Sequence, residues 1–172
     1  MSAPARLSGL GLAVTLPKPW EGRIYQRPLP VSSFASPVSR ASAGGDLGWA
    51  GEVTRPILHL GNFPLPAGRG DYGTGAVERM GSSDIFVSLL QFGPDELGTA
   101  LYAAPGLPRP TPADFDPAAL QRRVAGQAGY QRFFTHRGHP MCLFIVLGDR
   151  GRVGPLCREV NTILAGVEVA AR

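Results

Sequence analysis

The segment that most limits how this chain can fold is residues 141–147, MCLFIVL, seven apolar residues in a row. It is far too short to cross a bilayer, which takes about 20 apolar residues as a helix. An unbroken apolar run of this length, with no alternation, marks a central strand covered on both faces. The best cover lies close by: over 155–165, Leu156, Val160, Ile163 and Leu164 recur at the spacing of one helical face. Gly166 is placed to end that helix, and Val167-Glu168-Val169 to add a terminal strand.

Upstream, the chain reads as strands joined by turns. A strand is expected over 10–16, ending at Pro17, and continues over 22–26 past a Pro19-Trp20 turn, with Trp20 capping one end of the core. Residues 57–63 form another strand, followed by the glycine-studded loop PLPAGRGDYGTG at 64–75. Two hairpins are expected: 76–80 with 85–92 across Gly81-Ser82-Ser83-Asp84, and 130–136 with 141–147. Between them, 94–102 is a helix candidate with Asp95 and Glu96 in its first turn. Asp116 as N-cap and Pro117 at the first helical position then open a short helix that ends before Gly126.

With 172 residues, 44% of them hydrophobic, the sum is one α+β domain: a largely antiparallel β-sheet with helices packed on it. The 23 glycines and 17 prolines make it loop-rich. Residues 28–56, rich in Ser, Ala, Gly and Pro and without a period, read as one long loop anchored by Phe34 and Trp49.

The formal net charge is +4, and the excess lies entirely beyond residue 108, where nine basic residues face five acidic ones. Cys142 and Cys157 each sit in an apolar, periodic segment and read as buried free thiols, which suits a reducing compartment. The N-terminus has no continuous apolar stretch of the kind a secretion signal carries, and no segment is long enough to span a membrane, so a cytoplasmic location is expected.

Three stretches, GLAVTLPKPWEGRIYQRP at 11–28, ILHLGNFPLPAGRGDYGTGAVERMGSSDIFVSLLQFG at 57–93 and QRFFTHRGHPMCLFIVLGD at 131–149, together resemble a family of uncharacterised small proteins from actinobacteria. More distantly, Leu16-Pro17-x-x-Trp20, the central hairpins and the last strand and helix are similar to the PsbP/Mog1-like α/β sandwich. That resemblance implies a sandwich fold and a role in binding other proteins in place of catalysis.

Residues 68–73 match GxGxxG, but the dinucleotide-binding fingerprint turns directly from a strand into a helix. Here residues 64–67 intervene and a hairpin is expected to follow, so the match reads as a wide β-loop. Framed by strands, it is the place for ligand or partner contacts through Asn62, Arg69, Gly70, Asp71 and Tyr72, with Arg69, Asp71 and Tyr72 displayed to solvent. Its backbone N–H groups, with Arg69, offer a nest for an anion.

Three further patterns carry chemistry. His136, His139 and Cys142, spaced HxxHxxC in one hairpin, are ligand types for zinc or copper, although a solvated turn with a core cysteine explains the same residues. A thiol nucleophile at Cys142 or Cys157 needs a histidine beside it, whereas both thiols read as inert core. The stretch 122–137, with Arg122, Arg123, Tyr130, Arg132, Phe133, Phe134 and Arg137, has the composition of a nucleic-acid platform but also that of an alternating strand, and no nucleic-acid motif accompanies it. The expectation is a non-catalytic binding or assembly protein with a protein partner and no cofactor, using the glycine loop and residues 28–56 as contact surfaces. The competing reading is a small enzyme, or an anion- or metal-binding protein, built on residues 62–75 or on His136, His139 and Cys142.

Overall fold

Residues 141–147 fall in a strand buried along its whole apolar run, and the rest of the architecture follows from how its two faces are covered. The computed structural model describes residues 4–26 and 55–172. All but the last two positions of the expected 28–56 loop, with Phe34 and Trp49, lie outside the described residues. Among the described residues eight strands and one α-helix occur: β1 Ala5–Gly9, β2 Leu12–Leu16, β3 Glu21–Gln26, β4 Pro56–Gly61, β5 Ile85–Gln91, β6 Ala128–His136, β7 His139–Leu147, α1 Val153–Leu164 and β8 Val167–Val169. They form two antiparallel sheets, ordered β1-β2-β8 and β3-β4-β5-β7-β6. The fold class is therefore α+β, as expected. Among the described residues no helix is long and apolar enough to cross a membrane.

The pleat sorts β7 into two half-cores. Met141, Leu143, Ile145 and Leu147 face α1 and the small sheet, meeting Leu156, Val160, Ile163 and Leu164 of the helix and Leu12, Val14 and Leu16 of β2. Cys142, Phe144 and Val146 face the other way, against Ile57, Phe63, Leu65, Ala76, Val77, Phe86, Leu90 and Leu120. One face is thus covered by the expected helix, whose apolar stripe is where its spacing put it. Over the other, among the described residues, lies no helix: residues 63–77, the glycine loop and its flanks, fold back over the sheet.

Several local expectations change. Residues 10–16 are not one strand: Leu10 and Gly11, with φ of 52° and 78°, turn β1 into β2 as a two-residue hairpin of the type I′ kind. The segment after Pro17 does not continue β2 in its sheet but crosses to the larger one, a corner held by the Trp20 indole N–H donating to Glu159 Oε1 at 3.0 Å. Residues 76–80 are no strand; Val77–Arg79 is a 3₁₀ turn, and β5 pairs instead with β4 and β7. The helix expected over 94–102 is two 3₁₀ turns, Pro94–Glu96 and Ala100–Tyr102. Asp116 caps as expected, accepting from the Ala118 N–H at 2.6 Å, but the element is one 3₁₀ turn, Pro117–Ala119. Gly98, at a φ of 82°, separates the two turns of 94–102, and Leu120, in extended backbone, ends the turn that Asp116 opens, so neither gains the successive i,i−4 bonds that propagation requires.

Candidate functional site

Two polar residues interrupt the apolar strands beneath the glycine loop. His59 in β4 and Ser88 in β5 are cross-strand partners, share the loop-covered face and are fully buried. A buried polar group costs free energy unless it is hydrogen-bonded, and both find their partners in the loop above. Ser88 Oγ donates to the Asp71 carbonyl oxygen at 2.6 Å, and His59 Nε2 lies 2.9 Å from the same oxygen. On the other side of the ring, Arg69 Nε donates to His59 Nδ1 at 2.8 Å. Because a guanidinium can only donate, Nδ1 is bare, the ring is neutral and its proton sits on Nε2, pointing at Asp71. Burial drives the His59 pKa down to about 4 from its ordinary 6.5; the bond to Asp71 opposes this and the Arg69 charge adds to it.

Around that core, Tyr25 of β3 donates its hydroxyl to Asp71 Oδ1 at 3.2 Å, Arg69 also donates to the Pro66 carbonyl at 2.8 Å, and its guanidinium lies 5.8 Å from the centroid of the Tyr25 ring. Tyr72 packs edge-on against Phe144, centroids 5.3 Å apart. Arg69, Asp71 and Tyr72 are therefore half-buried and turned inward, which corrects their expected display to solvent; the loop is a latch closed onto the sheet. Asn62 belongs elsewhere, accepting from the Ile85 N–H at 2.8 Å and donating to the Ser83 carbonyl at 3.0 Å. Gly70 remains exposed, its N–H bonded to the Thr74 carbonyl.

This geometry also uses the donors an anion would need. The N–H groups of Arg69, Gly70, Gly73, Ala76 and Val77 all donate to carbonyls of the loop itself, and that of Gly75 donates to Glu78 Oε2 at 2.7 Å. No helix follows the GxGxxG string, only the Val77–Arg79 turn. Sequence reasoning misses Tyr25 and Ser88 and offers His59 only as a distant fourth metal ligand for the His136, His139 and Cys142 set; the available signal is the polar residue in the middle of each of ILHLG and IFVSLLQ.

The His136, His139 and Cys142 set does not converge. The two histidines are cross-strand partners on the helix-covered side, whereas Cys142 lies in the opposite half-core. His139 accepts from Gln91 Nε2 at 2.8 Å on Nδ1, and its Nε2 lies 3.2 Å from the Ala170 carbonyl. Among the described residues, no three His, Cys, Asp or Glu side chains are grouped to hold a metal ion. Cys157 points its thiol at the Pro110 carbonyl, 3.2 Å away, and burial pushes its pKa up. Tyr130 and Phe134 are core residues and Phe133 packs on Tyr102 and Phe92, so the basic, aromatic stretch presents no stacking surface.

A concave feature among the described residues lies toward the other end of the chain. A cavity of about 420 Å³ is lined by Gly11, Ala13, His136, Arg137, Val167 and Val169 among others. A second, of about 270 Å³, shares His136 and Val167 and reaches Pro108, Arg109 and Ala165. Together they make a groove between β8 and the end of β6. The C-terminal residues close one end, where the Arg172 N–H donates to the Arg137 carbonyl. The terminal strand itself was legible in Val167-Glu168-Val169; the groove beside it depends on which strands flank it.

No known protein family, curated protein or solved structure matches the chain.

Proposed function

We propose that this protein is a non-catalytic binding or assembly protein that engages another protein in the cytoplasm, on a scaffold related to the PsbP/Mog1-like sandwich. The observation that carries the reading is the groove along β8, whose walls are a strand edge, small apolar side chains and two arginines, Arg109 and Arg137. Such a lining suits a polypeptide, which needs backbone partners and shallow side-chain pockets. The loop residues best suited to chemistry support it from the other side: Arg69, His59, Ser88 and Asp71 already satisfy one another. Two buried cysteines suit the reducing cytoplasm.

The test is a photo-reactive amino acid placed at Arg109, beside the groove, and separately at the exposed Gly68 on the latch. Irradiation in host extract gives a discrete adduct from position 109 and none from position 68. Adducts from position 68 alone, or from neither, overturn the assignment of the groove.

A further inference from the structure

Resting on that reading, the geometry points to the occupant of the groove: an extended peptide segment bearing acidic side chains, added as a strand to the free edge of β8. The ladder shows which groups are on offer. Ala170 donates its N–H to the Gly11 carbonyl, and the register runs Leu12↔Val169, Ala13↔Glu168. Backbone polarity alternates along an antiparallel strand. Glu168 therefore directs its N–H and C=O toward β2, as Ala170 does its N–H, while Val167 and Val169, which line the groove, direct theirs away from β2. Among the described residues β8 pairs with β2 alone.

The opposite wall does not compete for these groups. The outer edge of β6 is already engaged, since Gly106 donates to the Thr135 carbonyl and Thr135 to the Ala104 carbonyl. From Val167 to Ala170 the edge is about 13 Å long, enough for a four-residue strand.

Charge selects the sequence of that strand. Glu168, the acidic residue of the lining, is held by Arg6, Nη1 to Oε1 at 2.9 Å, so its charge is countered on the outer face of the small sheet. Arg109 and Arg137 are exposed and form no ion pair among the described residues. His136 between them is held neutral near pH 7, its pKa lowered by burial and by Arg137 and His139. A short edge supplies few ladder bonds, so the two arginines decide which peptide is retained.

Three acetylated hexapeptides test the inference: one alternating glutamate and valine, its lysine–valine counterpart, and the glutamate peptide N-methylated at alternate residues. Amide exchange and NMR shifts of the full chain are the readout. In the free protein the Val167 and Val169 amides exchange faster than that of Ala170, and the glutamate peptide slows them about tenfold or more. Arg109→Gln and Arg137→Gln each weaken this binding about tenfold, and the lysine and N-methylated peptides leave both amides unchanged.

The inference is overturned if the two valine amides are already protected in the free protein, if all three peptides bind alike, or if none binds. An adduct at position 109 in host extract, obtained alongside any of these results, keeps the binding reading and removes only the acidic-strand occupant.

Discussion

The latch makes stability depend on pH through one residue. His59 is neutral because Arg69 Nε occupies its Nδ1, and adding a proton there sets two donors against each other in a buried site. Its pKa is about 4 in the fold against an ordinary 6.5, so between those values the unfolded chain binds the proton more readily than the folded one. The stabilisation is complete above about pH 6.5 and is lost as the pH falls toward 4. Each pH unit of that interval is worth about 1.4 kcal/mol, so the whole is about 3 kcal/mol, of which about 2 kcal/mol is gone by about pH 4.8.

The charged and polar groups facing the ring are Arg69 and Asp71 from the loop, Tyr25 and Arg23 from β3, and Ser88 from β5. The assay is urea unfolding of the native chain and of His59→Leu at about pH 7 and pH 4.8. The variant is less stable at pH 7 by about 1–3 kcal/mol, the cost of leaving Arg69 without its acceptor, but its stability changes far less on acidification. His136 shifts in the same direction, and the carboxylates of Asp114 and Glu168 lie below their ordinary values and weaken the fold at lower pH. All three persist in the variant, so the difference between the two proteins isolates His59. Equal acid sensitivity in the two proteins refutes the neutral, Arg69-bonded ring.

Other predictions concern the parts that hold the latch and the sheets. Gly73→Ala places a Cβ 2.5 Å from the Phe86 ring at a φ of 82°, so thermal and urea melts show a loss of about 2–5 kcal/mol. Asn62→Ala leaves the buried Ile85 N–H without its acceptor and costs about 1–3 kcal/mol in the same melts; Asn62→Asp keeps that acceptor but sets a carboxylate against the Ser83 carbonyl and Glu159 Oε1, and recovers little of it. Leu10 is 48% exposed and turns with a φ of 52°; Leu10→Asn stabilises the β1–β2 hairpin by about 0.5–1 kcal/mol, and a lower urea midpoint contradicts this. Both thiols are buried, and their labelling by a thiol reagent is slower in the native protein than in urea by about a hundredfold or more.

Legibility in the sequence follows the range of the interaction that determines each element. The buried strand over 141–147, the stripe of α1 and the Asp116 cap are local patterns: composition, spacing and one side-chain bond specify them within a few residues. Each appears at its expected place, though the helix opened by Asp116 stops after one turn. The 76–80 segment has apolar residues in strand-like order, yet it is a 3₁₀ turn, because β5 takes β4 and β7 as neighbours and leaves no ladder position for it.

The same division holds for the sites. The chain by itself determined that Arg69, Asp71 and Tyr72 lie in a glycine-rich loop between strands, and that His136, His139 and Cys142 lie in one hairpin. Only the tertiary structure decided that the first three face inward, because the loop packs on the second face of β7 and His59 and Ser88 beneath needed partners. It likewise set His139 and Cys142 on opposite sides, because a pleated strand sends residues an odd number apart to different faces. And it placed β8 beside β2 with its other edge open to a groove: a strand's own residues specify that it is a strand, while what lies along its edges is set by segments more than a hundred residues away in the chain.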